Sequence, residues 1–287
     1  RGKRVLDLEL PRLEAGGRLL AQGIELHVAG PERVCIVGSN GVGKTTLLRR
    51  IAAELLPRRD IRAAYMPQEF GERLDGALSP VELLNRSGSR AEEQRIRALL
   101  GSLRYTSLEM ERPCSALSGG QRAKLLLASM ALERADVLIL DEPVNGLDPE
   151  GIIEIRELIL KLNREHGITV LISSHILDEL AKLATHYGFI DRGRIVRELS
   201  AEELESASRK CLQLTVSDTV SLAMALDKLG AEYQIVSDTT AKVYSPVPVT
   251  TLVHALDAEN CKLLQAAEQD ESLESFYMNL VGGARHD

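Results

Sequence analysis

Two short stretches of this chain carry residues that could act on a phosphate. The first is Gly38-Ser39-Asn40-Gly41-Val42-Gly43-Lys44-Thr45, followed by Thr46. Its glycines permit backbone conformations closed to other residues, so successive N–H groups can turn toward one phosphate chain. A helix opening at the end of the loop would add its positive dipole end. In that setting Lys44 reaches the β- and γ-phosphates of a nucleotide, Thr45 offers its hydroxyl to Mg2+, and Thr46 bonds the α-phosphate. The second stretch is the apolar run Val137-Leu138-Ile139-Leu140, which ends in Asp141-Glu142. Acids at the carboxyl end of a parallel strand face the ligand crevice of such sheets. Asp141 can hold Mg2+ through its water shell, and Glu142 can polarise an attacking water as general base.

These residues need a scaffold that brings loop and acids together. The apolar run Val34–Val37 reads as a strand buried on both faces, and the phosphate loop follows it directly. Strands are predicted over 4–10, 22–28, 33–37, 137–140, 169–173, 187–191 and 194–199. Helices are predicted over 43–54, 118–133, 148–165 and 176–184. Residues 79–112 read as an Arg/Glu-rich helical stretch opened by Ser79-Pro80, and Asp148-Pro149-Glu150 is a second strong helix start. Strands alternating with helices predict an α/β core with a parallel sheet and a helical insertion. Beyond residue 200 the rhythm changes. Strands at 211–216, 233–237, 241–245 and 261–265 interleave with helices at 219–229 and 249–257, with flanking helices at 201–207 and 271–281. The order βαββαβ predicts a second, ferredoxin-like α+β domain.

Further residues carry a family resemblance. Leu117-Ser118-Gly119-Gly120-Gln121 resembles the signature of ATP-binding cassette (ABC) ATPases and lies between the phosphate loop and the acidic strand, as in that family. Gln68 resembles the Q-loop glutamine, His175 the switch histidine, and Asn145-Gly146-Leu147-Asp148 the D-loop. The resemblance implies a P-loop NTPase cassette over residues 1–199, with a helical subdomain at about 70–134, and an accessory domain over 200–287. It implies that two cassettes sandwich two ATP molecules. Lys44, Gln68, Asp141, Glu142 and His175 would act on the ATP of their own subunit, with Gln68 joining Thr45 and Asp141 at Mg2+. Ser118, Gly119, Gly120 and Gln121 would close over the ATP of the partner, and Asp148 would communicate across the dimer. The cofactors implied are ATP and Mg2+. The partners implied are a second cassette and membrane-spanning transporter subunits, at the inner, cytoplasmic face of a membrane.

The resemblance has two flavours. Residues 1–142 resemble an ABC-F-type cassette, a class linked to ribosomes, through residues 10–17 and 117–128. Residues 143–287 resemble the ATPase subunit of bacitracin- or lantibiotic-type exporters, through residues 145–151, 173–177 and 272–277. A fusion or designed hybrid joined near Pro143 follows from this, with Val144 where Thr is common. Charge and composition change nearby. Residues 1–112 carry 19 Lys+Arg against 15 Asp+Glu, and the rest 16 against 27. The net charge of −7 argues against a generic nucleic-acid binder, and no direct DNA binding is expected. The competing reading is a soluble ABC-F-type factor on ribosomes, supported by the Arg-rich segment 86–112; a third is a chain that binds nucleotide and drives nothing.

Two absences shape the expectations. No aromatic residue precedes Tyr65, whereas many cassettes stack adenine on one upstream of the phosphate loop. Leu19 and Ile24 are the aliphatic substitutes, and weak base selectivity follows. No apolar run is long enough to span a bilayer, and no signal-peptide pattern marks the start, which is Arg1 rather than Met. Cys35, Cys114, Cys211 and Cys261 are too scattered for a metal motif and are expected as reduced, buried thiols. His254 and His286 are expected to be structural or surface residues.

Overall fold

A computed structural model describes residues 4–15, 18–70, 73–191, 194–207, 210–270 and 272–282. The chain divides between Ala201 and Glu202 into two compact units.

The first unit begins with a hairpin of β1 (Arg4–Ala15) and β2 (Arg18–Ala29), both longer than the sequence predicts. Leu6 pairs with Val28, Leu8 with Leu26 and Leu10 with Ile24, and all six are buried. Asp7, Glu9, Glu25 and His27 alternate with them on the exposed face, as a period of two requires.

The main sheet of this unit runs β4-β5-β6-β3-β7-β8 among the described residues. Its strands are β3 (Arg33–Val37), β4 (Ala63–Met66), β5 (Val137–Asp141), β6 (Thr169–Ser173), β7 (His186–Asp191) and β8 (Arg194–Ser200). All neighbours are parallel except β8, which returns antiparallel to β7. Every residue of β5 and β6 is buried, which is why these strands read as unbroken apolar runs ending in polar residues. Register places Asp141 beside Ser173, and Ser173 beside Ile36. The loop after β3, the acids of β5 and the segment after β6 therefore leave the sheet at one edge.

Helix α1 (Lys44–Leu55) follows the phosphate loop. Its Leu47, Leu48, Ile51 and Leu55 share one core with Ile36, Ile139 and Leu171 of the sheet and with Leu6, Leu8, Ile24 and Leu26 of the hairpin. Ile24 is 0% exposed in that core, so it has no free surface to offer adenine, and the expectation for it is corrected. Leu19 lies in β2, with its side chain outside the described residues.

The helical stretch 79–112 consists of three helices: α2 (Pro80–Leu84), α3 (Arg90–Ser102) and α4 (Ser107–Glu111). Ser79, Ser89 and Thr106 each accept a backbone N–H from the residue three positions on, so each side chain starts a new helix. Gly88 and Arg104, both at positive φ, turn the chain between them. Next come α5 (Gly119–Leu132), α6 (Pro149–His166) and α7 (Leu177–Leu183). Lys124 of α5 donates to Glu154 of α6 at 2.7 Å and to the Leu103 carbonyl at 3.1 Å, so a nearly buried ammonium ties α5, α6 and the end of α3 together.

The second unit opens within α8 (Ala201–Ala207) and holds β9 (Lys210–Val216), α9 (Thr219–Lys228), β10 (Tyr233–Ser237), β11 (Thr240–Val243), α10 (Val249–Ala258), β12 (Leu263–Asp270) and α11 (Leu273–Gly282). Its sheet is antiparallel throughout, ordered β10-β11-β9-β12. Leu214, Val216, Ala241 and Val243 of the sheet pack on Leu222, Leu226, Leu252 and Leu256 of α9 and α10. His254 is exposed on α10, and His286 lies outside the described residues. All four cysteines are buried free thiols.

Candidate nucleotide site

The phosphate loop is shaped by two of its glycines. A Cβ on Gly38 would lie 2.6 Å from Ile190 Cγ2 and 2.7 Å from the Ile190 carbonyl oxygen of β7, so this position has no room for a side chain. Gly43 caps α1 at φ 109, and its lack of a side chain leaves the helix N-terminus without a side-chain acceptor. No acid sits in the first turn of α1. Such a helix end favours an anion, whose oxygens can accept from the N–H groups there.

Lys44 is nearly buried, and its Nζ donates to the carbonyls of Gly38 at 2.8 Å and Ser39 at 3.2 Å. Burial lowers the pKa of its ammonium, and the nearby Glu142 and Asp141 carboxylates oppose that shift. The Ser39 carbonyl also accepts from Val42 N–H. The loop thus folds around its own lysine.

Asp141 is fully buried at the end of β5. Its Oδ1 accepts from Thr45 Oγ1 at 3.1 Å and from Ser173 Oγ at 2.8 Å, and its Oδ2 from Tyr65 Oη at 3.3 Å. The next residue, Glu142, adopts φ 52, the left-handed region that non-glycine residues enter at a cost of about 1–3 kcal/mol. Its N–H still donates to the Ser173 carbonyl, and its own carbonyl accepts from Asn145 N–H. Glu142 Oε2 accepts from the backbone N–H of His175 at 3.1 Å and faces Nδ1 at 2.7 Å. The His175 side chain is 42% exposed.

A cavity of about 510 Å³ joins these groups. The loop contributes Asn40, Gly41, Gly43, Lys44, Thr45 and Thr46 to its lining. Gln68, Glu142, Asn145 and His175 complete it from three other segments. The residues fit a nucleotide and a hard cation. A loop with a lysine and a helix end without a side-chain cap suits a polyphosphate. The Thr45 and Asp141 oxygens, side by side, suit Mg2+, which takes one or two protein oxygens alongside phosphates rather than a full protein cage. No group of three or more His, Cys, Asp or Glu among the described residues is arranged to hold a metal.

The signature residues stand apart from this lining. Ser118 caps α5, accepting from Gln121 N–H at 3.2 Å while Gln121 Oε1 accepts from Ser118 N–H at 2.9 Å. Gln121 Nε2 donates to Glu109 at 2.7 Å. Gly119 packs on the loop before α6 and Gly120 on the first turn of α6: a Cβ on Gly119 would meet Leu147 at 3.1 Å, and one on Gly120 would meet Gly151 at 3.7 Å. Asp148 caps α6 through Gly151 N–H at 3.1 Å. Three residues at the site were not foreseen there: Tyr65 and Ser173 on Asp141, and Asn145 in the cavity. Tyr65 stands three places before Gln68, which was its only sequence signal.

Comparisons with known proteins identify the family. A family model described as "ABC transporter" matches residues 21–145. The bacitracin transport ATP-binding protein of Bacillus licheniformis is 30% identical over 93% of this chain and 94% of its own length. Its namesake from Enterococcus faecalis is 29% identical over 97% of each. Among solved structures, the ATP-binding cassette MJ0796, in a dimeric post-hydrolysis state bound to ADP and Pi, matches 69% of this chain and 98% of its own at TM-score 0.57 and 20% identity, which shows a common fold. With its phosphate loop, acidic strand and histidine converging on one cavity, this chain belongs to the ABC transporter family, as an ATP-binding and ATP-hydrolysing subunit.

Proposed function

We propose that the chain powers an exporter: two copies close around two ATP molecules and move membrane-spanning subunits at the inner face of a membrane. The supporting observation is the division of the site. The cavity holding Lys44, Glu142 and His175 is not lined by Ser118, Gly119, Gly120 or Gln121. A second cassette would supply those four residues, with the N-terminus of α5 toward the γ-phosphate. Glu142 is the base, His175 the γ-phosphate sensor, Lys44 the phosphate clamp, and Thr45, Asp141 and Gln68 the Mg2+ residues. Asp148 carries the signal between subunits. Loss of the γ-phosphate then reopens the dimer.

Similarity to the two bacitracin transport ATP-binding proteins supports a role in transport. It covers 93% and 97% of the chain and so runs through Pro143, which favours one lineage over a junction of two. Cargo choice is left to the membrane subunits. We read the second unit as a ferredoxin-like domain with a regulatory or dimer-supporting role; its βαββαβ element order and its strand order support that. No helix among the described residues is long and apolar enough to cross a membrane.

The test is light scattering of the Glu142→Gln variant with Mg-ATP. A shift from monomer to dimer mass is expected, and a persistent monomer would refute the sandwich. Affinity purification from detergent-solubilised cells should bring down membrane subunits; sedimentation with ribosomes instead would establish the ABC-F reading.

A further inference from the structure

Asp141 has two carboxylate oxygens and only one belongs on the cation side. Rotation about its last side-chain bond would exchange them. Oδ1 sits between Thr45 of α1 and Ser173 of β6. Oδ2 is fixed from a third element, by the Tyr65 hydroxyl of β4 at 3.3 Å. The direction of that bond follows from the partners. A carboxylate only accepts, so the Tyr65 hydroxyl donates its proton to Oδ2. The cationic Arg49 lies near the same hydroxyl. Arg49 lies one helical turn after Thr45, so α1 presents one residue to each end of the same arrangement.

We propose that Tyr65 is a positioning residue for the metal: it locks Asp141 with Oδ1 toward Thr45 and ties the strand leading to Gln68 to the metal carboxylate. The ring is half-buried against the main core, and β4 is in register with β5 from Ala63 to Met66, so the hydroxyl is held from a rigid base. Partners of metal ligands commonly set metal affinity in this way. The chain leaves β4 two residues after Tyr65, and a displacement of Gln68 would therefore be felt at Asp141. This inference rests on the reading of Thr45 and Asp141 as the Mg2+ pair.

The experiment measures Mn2+ binding by electron paramagnetic resonance to the full chain with a non-hydrolysable ATP analogue. Wild type, Tyr65→Phe and Asp141→Asn are compared, with analogue affinity in EDTA as the control. Tyr65→Phe removes one oxygen and keeps the ring. It should weaken Mn2+ by about 10-fold and leave the EDTA affinity unchanged. Wild-type Mn2+ affinity in Tyr65→Phe, with Mn2+ lost in Asp141→Asn, would overturn the proposal and leave the metal pair standing. Unchanged Mn2+ affinity in Asp141→Asn would refute the metal pair itself. If Tyr65→Phe fails to fold, Tyr65→Leu, which also lacks the hydroxyl, should weaken Mn2+ in the same direction; wild-type affinity there would overturn the proposal.

Discussion

Glu142 and His175 meet through a single oxygen: Oε2 of the glutamate accepts the backbone N–H of His175 at 3.1 Å and faces its Nδ1 at 2.7 Å. A carboxylate only accepts, so Nδ1 carries the proton, and in the neutral ring Nε2 is left as the acceptor. The contact joins the ends of β5 and β6, and Glu142 makes it from the left-handed region. The proposed base and the proposed sensor are therefore joined by a direct contact.

Replacing Glu142 by Gln keeps the shape and an acceptor for His175 but removes the basic oxygen. Hydrolysis should fall by about 10²-fold or more, the range for a lost general base, with ATP binding retained. Phosphate release and fluorescent-nucleotide titration measure the two separately. Hydrolysis at the wild-type rate would rule out Glu142 as the base.

Because the two residues act together, their losses should not add. His175→Ala leaves the backbone donor and removes the ring, and is expected to lower kcat with little change in KM. Adding it to Glu142→Gln should cost far less than the product of the single effects. Steady-state rates of the four proteins complete the cycle; full additivity would show that the contact has no part in turnover.

Gly38 offers a test of the loop itself. A Cβ there meets the backbone and side chain of Ile190 below 3 Å, and neither the strand nor a β-branched side chain moves away cheaply. Gly38→Ala should destabilise the first unit by about 1–3 kcal/mol and displace the carbonyl that holds Lys44. Thermal melting and ATP affinity should both drop. A wild-type melting temperature would show that β7 yields more readily than its pairing implies.

Much of this was legible in the sequence because buried parallel strands leave a strong trace. Val34–Val37, Val137–Leu140 and Val170–Ile172 are apolar on both faces, so their ends, where the chemistry sits, stand out as sudden polar residues. Caps marked helix starts for the same local reason, as at Ser79 and Asp148. Long-range packing was less legible. Whether Ile24 faces solvent or core depends on the register of the hairpin against α1 and the sheet. Tyr65 looked like an ordinary strand residue because its partner Asp141 lies 76 positions away. The division of the helical stretch 79–112 was not legible, because Ser and Thr interrupt a helix only when their side chains bond backward-facing N–H groups.

The hairpin register leads to the last prediction, on base recognition. Ile24 is sealed inside the core, and no aromatic residue precedes Tyr65 to stack on a purine. An aromatic stack contributes on the order of 1 kcal/mol beyond the area it covers. Without it, the grip on nucleotide comes from the phosphate loop, Lys44 and the end of α1, none of which senses the base. ATP and GTP should then compete for the site with affinities within about fivefold of each other, since 1.4 kcal/mol corresponds to a factor of ten. Introducing an aromatic at Leu19, by Leu19→Tyr, should raise affinity for both nucleotides. Competition titration with a fluorescent ATP analogue measures these affinities. A wild-type preference for ATP of a hundredfold would mean that specific contacts to the adenine edge exist, and that the base is held by hydrogen bonds rather than by stacking.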